Sequence, residues 1–289
     1  MKCFAGIDVG SSTIKVAITD ESGIRGYKVM PTSVHCNDSA FQLLDGLRQT
    51  VGLGEGDIKH VTSTGYGRRL VKFADSNISE ITANVKGAVW YGEQAGLKVR
   101  TIINIGGQDT KVIGIDEEGV TKNFSMNDKC AAGTGRFLEA LARILEVEVV
   151  DLGDMALKAD VPLRINSTCT VFAETEIISL LAREKKPSEI IAGAHFAIAK
   201  RLSKMARRVK VTDQVFFDGG PALNKGLIKA LEDELATDLF VPPDVPQVTT
   251  AIGAAMIARE EYRSGAPIVE SPKTSAIQGT EETCQICPQ

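Results

Sequence analysis

The sequence predicts an α/β fold built from two related halves, and three observations predict it. The chain has 289 residues, which is enough for two domains of roughly 100–200 residues each. Strand patterns alternate with amphipathic helix patterns, which favours mixed sheets covered by helices. A strand–turn–strand unit occurs twice, as IDVGSSTIKVAITDESG from Ile7 and as INIGGQDTKVIGIDEEG from Ile103.

The two copies of this unit keep a constant offset of 96 residues (103 − 7 = 96). Seven positions recur at that offset, namely Ile7/Ile103, Gly10/Gly106, Lys15/Lys111, Val16/Val112, Asp20/Asp116, Glu21/Glu117 and Gly23/Gly119. Each copy has two strands, a polar turn that contains glycine, and a closing acidic turn, the pattern of a β-hairpin. Hairpins can resemble one another by chance, but the constant register over the whole unit favours two halves with one topology.

The remaining elements are predicted in chain order. The patterns predict helices over 41–51, 81–94, 133–146, 171–183, 188–209, 224–235 and 251–262, and strands over 58–64, 99–105 and 215–217. We expect a first domain over 1–95, a second over 96–250, a helix over 251–263 that packs back on the first domain, and a tail over 264–289.

Composition excludes several classes of protein. The 33 basic residues are outnumbered by 37 acidic ones, so the chain has no excess of positive charge to attract nucleic acid. Only 5% of residues are aromatic, so few side chains are available to stack on bases. No apolar run approaches the roughly 20 residues of a membrane span, and Asp8 interrupts the first apolar stretch, unlike a signal peptide. Six cysteines are too few for a disulfide scaffold. We therefore expect a cytoplasmic protein.

Two glycine turns at the hairpin tips are suited to phosphate. Glycine lets consecutive backbone N–H groups approach an oxyanion, as in Gly10, Ser11, Ser12 and Thr13. Asp8 precedes the first turn and fits a Mg²⁺ ion carried by phosphates. The second turn repeats the arrangement as Gly106, Gly107, Gln108 and Asp109. Gln108 is placed to orient an attacking water.

A third glycine turn follows the predicted strand at 215–217. Gly219 and Gly220, followed by Asn224 and Lys225, would bring backbone against a flat base or a ribose. The chain contains no GxxxxGK[ST], which excludes a P-loop, and no GxGxxG between a strand and a helix, which disfavours a Rossmann site.

Two cysteines stand immediately before predicted helices. They occur in NDKCAAGTGRFLE, which contains Cys130, and in STCTVFAETEIISLLA, which contains Cys169. A helix N-terminus lowers the pKa of a thiol and favours a thiolate or an anionic cluster. Two buried structural cysteines are the alternative. Two thiolates cannot complete a four-thiolate iron–sulfur cluster, whereas two chains related by a two-fold axis would supply four.

These motifs resemble those of a known superfamily. GIDVGSSTIKVAI and INIGGQDTKVI resemble the two phosphate motifs, and FFDGGPALN the adenosine motif, of the acetate kinase, sugar kinase, chaperone and actin superfamily. The resemblance implies two ribonuclease-H-like domains with an ATP cleft between them. The two cysteine motifs resemble those of the BadF/BadG/BcrA/BcrD ATPase family, which comprises activators of (R)-2-hydroxyacyl-CoA dehydratases and ATPase subunits of benzoyl-CoA reductases. The resemblance covers about residues 5–259.

The family resemblance implies an ATP-driven donor of single low-potential electrons. It implies a homodimer, or a pseudo-dimer with a related subunit, that shares one [4Fe-4S] cluster through Cys130 and Cys169. Expected partners are an acyl-CoA dehydratase or reductase component and, as electron source, a ferredoxin or flavodoxin. We assign catalysis to Asp8, Gln108 and Asp109. Binding of ATP, ADP and Mg²⁺ is assigned to Gly10, Ser11, Ser12, Thr13, Lys15, Asn104, Gly106, Gly107, Gly219, Gly220, Asn224 and Lys225.

Two other functions are compatible with the nucleotide motifs. A small-molecule kinase of the same superfamily would need a separate general base, and it leaves Cys130 and Cys169 unexplained. A filament former or chaperone is the third class, although no peptide-binding domain follows the predicted core. The tail holds a CxxC at Cys284 and Cys287, for which an unstructured tail, a metal site or disulfide, and a docking segment all stay open.

Overall fold

Two mixed β-sheets form the framework of the computed structural model, which describes residues 1–128, 130–165, 170–212, 214–243, 245–266 and 275–276. The first sheet contains β1 (Cys3–Val9), β2 (Thr13–Thr19), β3 (Ile24–Pro31), β4 (Ile58–Thr64) and β5 (Ser76–Asn77), in the order β3-β2-β1-β4-β5. The second contains β6 (Thr101–Ile105), β7 (Thr110–Ile115), β8 (Thr121–Asn127), β9 (Val215–Asp218), β10 (Leu239–Phe240) and β11 (Ser275–Ala276), in the order β10-β9-β6-β7-β8-β11.

Helices cover both sheets. They are α1 (Cys36–Thr50), α2 (Glu80–Gln94), α3 (Gly135–Ile144), α4 (Leu152–Ala156), α5 (Thr170–Ala182), α6 (Pro187–Val209), α7 (Lys225–Leu235) and α8 (Thr249–Ser264). Each predicted helix is confirmed, with ends that differ by a few residues, and α4 is an additional short helix. No helix in the described part of the chain has both the length and the apolar character needed to cross a membrane.

The duplicated unit is confirmed at the level of single residue pairs. Ile7 pairs with Val16 between β1 and β2, and Ile103 pairs with Val112 between β6 and β7. Around these hairpins the sheets share the strand order β3-β2-β1-β4 and β8-β7-β6-β9. The third strand of each half, β3 or β8, was not predicted. Most positions in β3 and β8 are half-buried or exposed, so neither carries a strong apolar signal.

Helix α8 follows the second half in sequence but packs against the first sheet. A Cβ added at Gly6 in β1 would lie 2.0 Å from the Ala251 carbonyl oxygen of α8. One added at Gly253 of α8 would lie 1.8 Å from the Ala83 carbonyl oxygen of α2. Glycine at these two positions therefore lets α8 reach backbone contact with a strand and a helix. The domain limits at 95 and 250 stay predictions.

One apolar cluster packs side chains from both halves together. Ala17 of β2 and Val85 of α2 belong to it, as do Ile113 of β7 and Phe216 of β9. Ile252 of α8 is also a member. Burying such side chains stabilises a fold by about 25 cal/mol per Å² of apolar surface removed from water. The cluster thus packs the two sheets together through α2 and α8.

Candidate functional site

The two hairpin turns face each other across the junction of the sheets. A Cβ added at Gly107 would lie 2.1 Å from Ser12 Oγ and 2.8 Å from Ser12 Cβ. Both turns close in the same way, since Gly10 N donates to Thr13 O at 3.0 Å and Gly106 N donates to Asp109 O at 2.9 Å. The structure therefore brings the two predicted phosphate turns into direct contact.

Two oxygen atoms at the first turn are buried and make no hydrogen bond within the described residues. They are Asp8 Oδ1 and Ser12 Oγ. Asp8 is 3% exposed, and its other oxygen, Oδ2, accepts from Lys15 Nζ at 2.9 Å. Burial raises the pKa of Asp8, and the charge of Lys15 opposes that rise. Buried polar atoms without partners are rare. A carboxylate and a hydroxyl beside glycine amides form a donor set that fits a hydrated Mg²⁺ carrying phosphates.

A buried lysine lies behind the second turn. Lys111 is 1% exposed, and its Nζ lies 2.8 Å from Glu80 Oε1 and 2.8 Å from Asp109 Oδ2. Burial lowers the pKa of Lys111, but the two carboxylates outweigh it and raise the pKa. Burial also raises the pKa of Asp109, against the charge of Lys111. Glu80 begins α2 of the first half, so this ion-pair cluster joins the two halves and fixes Asp109 in the turn.

The third glycine turn lies against the end of β6, the strand that leads into the second glycine turn. Gly219 has φ +93°, and a Cβ there would lie 2.1 Å from the Ile105 carbonyl oxygen, so only glycine fits. The preceding residue, Asp218, accepts from Asn104 Nδ2 at 2.8 Å and from Asn84 Nδ2 at 2.5 Å. Burial raises the pKa of Asp218 to about 7. The predicted nucleotide residue Asn104 thus orients an acid that sequence reasoning left out.

Asn224 and Lys225 have contacts of a different kind. Asn224 Oδ1 accepts from Leu227 N at 2.9 Å and so caps α7. Its Nδ2 lies 3.1 Å from Nε2 of His195, a histidine whose pKa burial lowers to about 4. Lys225 is exposed and lies 3.4 Å from Asp154. The described side-chain contacts of both residues are therefore with α4, α6 and α7 rather than with the two hairpin turns.

The turn that carries Cys130 lies between β8 and α3. Cys130 is half-buried, and its carbonyl oxygen accepts from Asn127 Nδ2 at 2.8 Å. Further along the same turn, Gly133 O accepts from Thr110 Oγ1 of β7 at 2.7 Å. The cysteine turn is therefore bonded to two neighbouring strands, β8 through Asn127 and β7 through Thr110. Cys169, which precedes α5, lies outside the described residues, as do Cys284 and Cys287.

The second phosphate turn also holds the start of α3. Gly135 N donates to Gly106 O at 2.9 Å, and Arg136 N donates to Gly107 O at 2.9 Å. The first N–H groups of a helix have no partner inside the helix. Here the carbonyl groups of the predicted phosphate turn satisfy two of them. The predicted phosphate turn and the helix after the cysteine turn are thus joined by direct backbone hydrogen bonds.

The described residues offer few metal-ligating side chains in groups. They contain no group of three or more His, Cys, Asp or Glu side chains arranged to hold a metal ion. Cys130 supplies one described thiol, so one described chain does not complete a four-thiolate set.

Gln108 is exposed at the tip of the second turn, where its side chain is open to water.

Four site residues were missed by sequence reasoning, namely Glu80, Asn84, Lys111 and Asp218. Lys111 had a signal, because it repeats Lys15 at the offset of 96 residues, and Asp218 stands directly before the glycine pair. Glu80 and Asn84 had none beyond their place near the start of a helix. Their partners come from the other half of the chain.

The chain resembles known proteins over most of its length. A family model described as the BadF/BadG/BcrA/BcrD ATPase family matches residues 5–258. The chain is 41% identical over 259 residues to the 2-hydroxyisocaproyl-CoA dehydratase activator of Clostridioides difficile, covering 89% of this chain and 95% of that protein. It is 31% identical over 267 residues to a component of the benzoyl-CoA reductase of Thauera aromatica, covering 89% and 93%.

Solved structures give the same picture. The activator of the 2-hydroxyisocaproyl-CoA dehydratase from Clostridium difficile with bound ADPNP superposes with a TM-score of 0.85 at 39% identity, over 93% of this chain and 100% of that one. A ROK family glucokinase from Streptomyces griseus, in complex with glucose and AMPPNP, has a TM-score of 0.57 at 13% identity, over 89% and 99%. The second likeness shows the fold alone. The predicted α/β fold of the actin-like ATPase superfamily is confirmed.

Proposed function

The chain belongs to the BadF/BadG/BcrA/BcrD ATPase family, and from that membership we propose that it couples ATP hydrolysis to the transfer of single low-potential electrons. The acceptor is the iron–sulfur component of an acyl-CoA dehydratase or of an acyl-CoA or benzoyl-CoA reductase. Relatives named as a dehydratase activator and as a benzoyl-CoA reductase component support this proposal. A ferredoxin or flavodoxin supplies the electron.

The nucleotide is proposed to bind between the two hairpin turns. The N–H groups of Ser11, Ser12 and Gly107 bind phosphate oxygens. Gly10, Thr13 and Gly106 shape the two turns, since the N–H groups of Gly10 and Gly106 already donate to Thr13 O and Asp109 O. Asp8 Oδ1 and Ser12 Oγ would hold the hydrated Mg²⁺. This assignment is supported by the burial of both oxygens without a hydrogen-bond partner in the described residues. When bound, Mg²⁺ neutralises phosphate charge and polarises the terminal phosphate. Gln108 orients water, and Lys111 keeps Asp109 in place beside it.

The cluster is proposed to be a [4Fe-4S] centre held by Cys130 and Cys169 of two subunits. When bound, such a centre supplies one-electron redox chemistry at low potential. One observation carries the coupling: Gly106 O and Gly107 O accept the first N–H groups of α3, the helix after the cysteine turn. A change in phosphate contacts at these two peptide groups therefore moves the start of that helix. Nucleotide can then favour one conformation of the cysteine turn over another.

Two measurements on anaerobically purified protein test the proposal. We expect about four irons per dimer and a paramagnetic signal on reduction. Cys130→Ser and Cys169→Ser lose the iron and the signal but still bind ATP, whereas Cys36→Ser, a control on the half-buried cysteine of α1, keeps both. An iron chelator removes the cluster at different rates without nucleotide, with ADP and with ATP. A monomer that keeps a complete cluster contradicts the shared site, and nucleotide-independent chelation contradicts the coupling.

A further inference from the structure

The turn after β4 lies against the first phosphate turn. Gly67 N donates to Val9 O at 2.9 Å. A Cβ at Gly65 would lie 2.4 Å from Asp8 Oδ1, and Gly65 has φ +86°. Any larger residue at position 65 would therefore displace the carboxylate oxygen that we assign to the magnesium shell. The β4 turn is thus part of the wall of the nucleotide site, although neither hairpin contains it.

This turn positions one arginine. Arg68 is half-buried, and its Nη1 donates to Gly65 O at 3.1 Å. Its own carbonyl oxygen accepts from Ser63 Oγ at 3.0 Å, which fixes the backbone at the end of β4. Burial raises the pKa of Glu80, but the charges of Lys111, Lys15 and Arg68 outweigh it and hold that pKa below its usual value. The Arg68 charge therefore reaches the carboxylate cluster behind the second turn.

Arg68 differs from the other cations at the site. Lys15 is paired with Asp8, and Lys111 is paired with Glu80 and Asp109. Within the described ranges Arg68 forms no ion pair, and one of its donors is used in a hydrogen bond. A guanidinium has five N–H donors in a planar fork that matches phosphate oxygens. Of these three cations, Arg68 is the one whose guanidinium has no carboxylate in direct contact within the described ranges, although its charge helps to lower the pKa of Glu80.

We propose that Arg68 binds the terminal phosphate of the nucleoside triphosphate and stabilises the charge that develops there during hydrolysis. The inference rests on the proposed nucleotide function and adds a residue to it. In the step, the water oxygen bonds to the γ-phosphorus while the bond to the β–γ bridging oxygen breaks. ADP keeps that electron pair, the proton of the water passes to solvent, and Arg68 stays protonated throughout.

Arg68→Ala is tested against Arg69→Ala, a matched control at the exposed neighbouring position, and against Arg68→Lys. Calorimetry measures the dissociation constants of Mg·ADPNP and Mg·ADP, and steady-state assays measure kcat and KM for ATP. For Arg68→Ala we expect about tenfold weaker ADPNP binding, unchanged ADP binding, and a kcat lower by about 10²-fold or more. Arg68→Lys recovers part of the ADPNP affinity, added guanidinium recovers part of the kcat, and Arg69→Ala behaves as wild type.

Three outcomes overturn the inference, and one of them separates it from the proposed function. Wild-type ADPNP affinity and kcat in Arg68→Ala would remove Arg68 from the site while nucleotide binding by the protein stands. Equal weakening of ADP and ADPNP, with an unchanged thermal melt, would assign Arg68 to the shared phosphates or to the turn instead. Failure of the wild-type protein to bind either nucleotide would overturn the proposed function and this inference together.

Discussion

Gly107→Ala tests whether the contact between the two hairpin turns sets the geometry of hydrolysis. The new Cβ would lie 2.1 Å from Ser12 Oγ and 2.8 Å from Ser12 Cβ. The hydroxyl can rotate away, but the Ser12 Cβ cannot. Ordinary contact begins at 3.4 Å, so the turns must separate by at least about 0.6 Å (3.4 − 2.8). The backbone at Gly107 does not have the positive φ that disfavours alanine. The expected effect of Gly107→Ala therefore comes from the contact with Ser12 and not from backbone strain.

The displacement converts into an expected loss of rate. A misplacement of about 1 Å can cost about 10²-fold in a reaction that depends on positioning. A separation of about 0.6 Å therefore predicts a kcat for ATP hydrolysis lower by roughly tenfold. Overpacking of this kind costs about 1–3 kcal/mol of the free energy of unfolding, so the variant stays folded. Steady-state hydrolysis and urea unfolding measure the two quantities separately.

A double variant supplies the control. Ser12→Gly removes both atoms that the new methyl group meets, so Gly107→Ala with Ser12→Gly recovers the hydrolysis rate of Ser12→Gly alone. Because Gly107 O also holds α3, chelation of the cluster in Gly107→Ala loses part of its dependence on nucleotide. A wild-type kcat in Gly107→Ala would refute the reasoning, since the turns would then work without their close contact.

Three further predictions follow from buried groups. Asp8→Asn lowers Mg²⁺-dependent ATP hydrolysis by about 10²-fold and raises the Mg²⁺ concentration for half-maximal rate, since the site loses a carboxylate charge; an unchanged Mg²⁺ titration would count against the assignment. Asp218→Asn changes the pH dependence of stability. Burial raises the pKa of Asp218 from 3.8 to about 7, so between these values the folded state holds a proton that the unfolded chain has lost. The free energy of unfolding of the wild type therefore falls as pH rises from about 4 to 7, relative to Asp218→Asn, by on the order of 4 kcal/mol; parallel urea profiles for the two proteins would contradict this. Gly253→Ala destabilises the protein by about 3 kcal/mol or more, because its Cβ would lie 1.8 Å from Ala83 O. Gly46→Ala, where the nearest atom to the Cβ is Lys28 Nζ at 3.6 Å, is neutral or stabilising by up to about 1 kcal/mol in thermal melts.

The sequence predicted most of the fold because its strongest signals are local. The repeat at an offset of 96 residues identified both hairpins, and the pairs Ile7–Val16 and Ile103–Val112 have the same register. Strands β3 and β8 were not predicted, because most of their side chains are half-buried or exposed and their apolar residues alternate only weakly. The close approach of α8 to α2 was not predicted either. In the sequence Gly253 is simply a residue that disfavours a helix, and its reason becomes clear only when Ala83 is seen beside it.

The parts of the candidate site that are formed by residues adjacent in the sequence were predictable. The glycine turns were identified from strand ends and residue type, and the structure brings the first two together. Partners that come from distant parts of the chain were not predictable. A buried lysine is unusual, so Lys111 is explained only once Glu80 and Asp109 are seen beside it. Asn224 caps α7 in the structure, a role that was not predicted for it, and its assignment to the nucleotide stays a prediction.

The return of α8 to the first sheet has a consequence for how the chain matures on the ribosome. Gly6 of β1 lies against the Ala251 backbone. The first sheet is synthesised first, but the helix that packs on it is synthesised 245 residues later (251 − 6 = 245). The side of the second sheet that carries Ile103 and Phe217 packs with α6 and α7, which leave the exit tunnel earlier than α8. We expect the C-terminal half to become protease-resistant before the N-terminal half, and nascent chains arrested before residue 249 to expose β1 to chaperones.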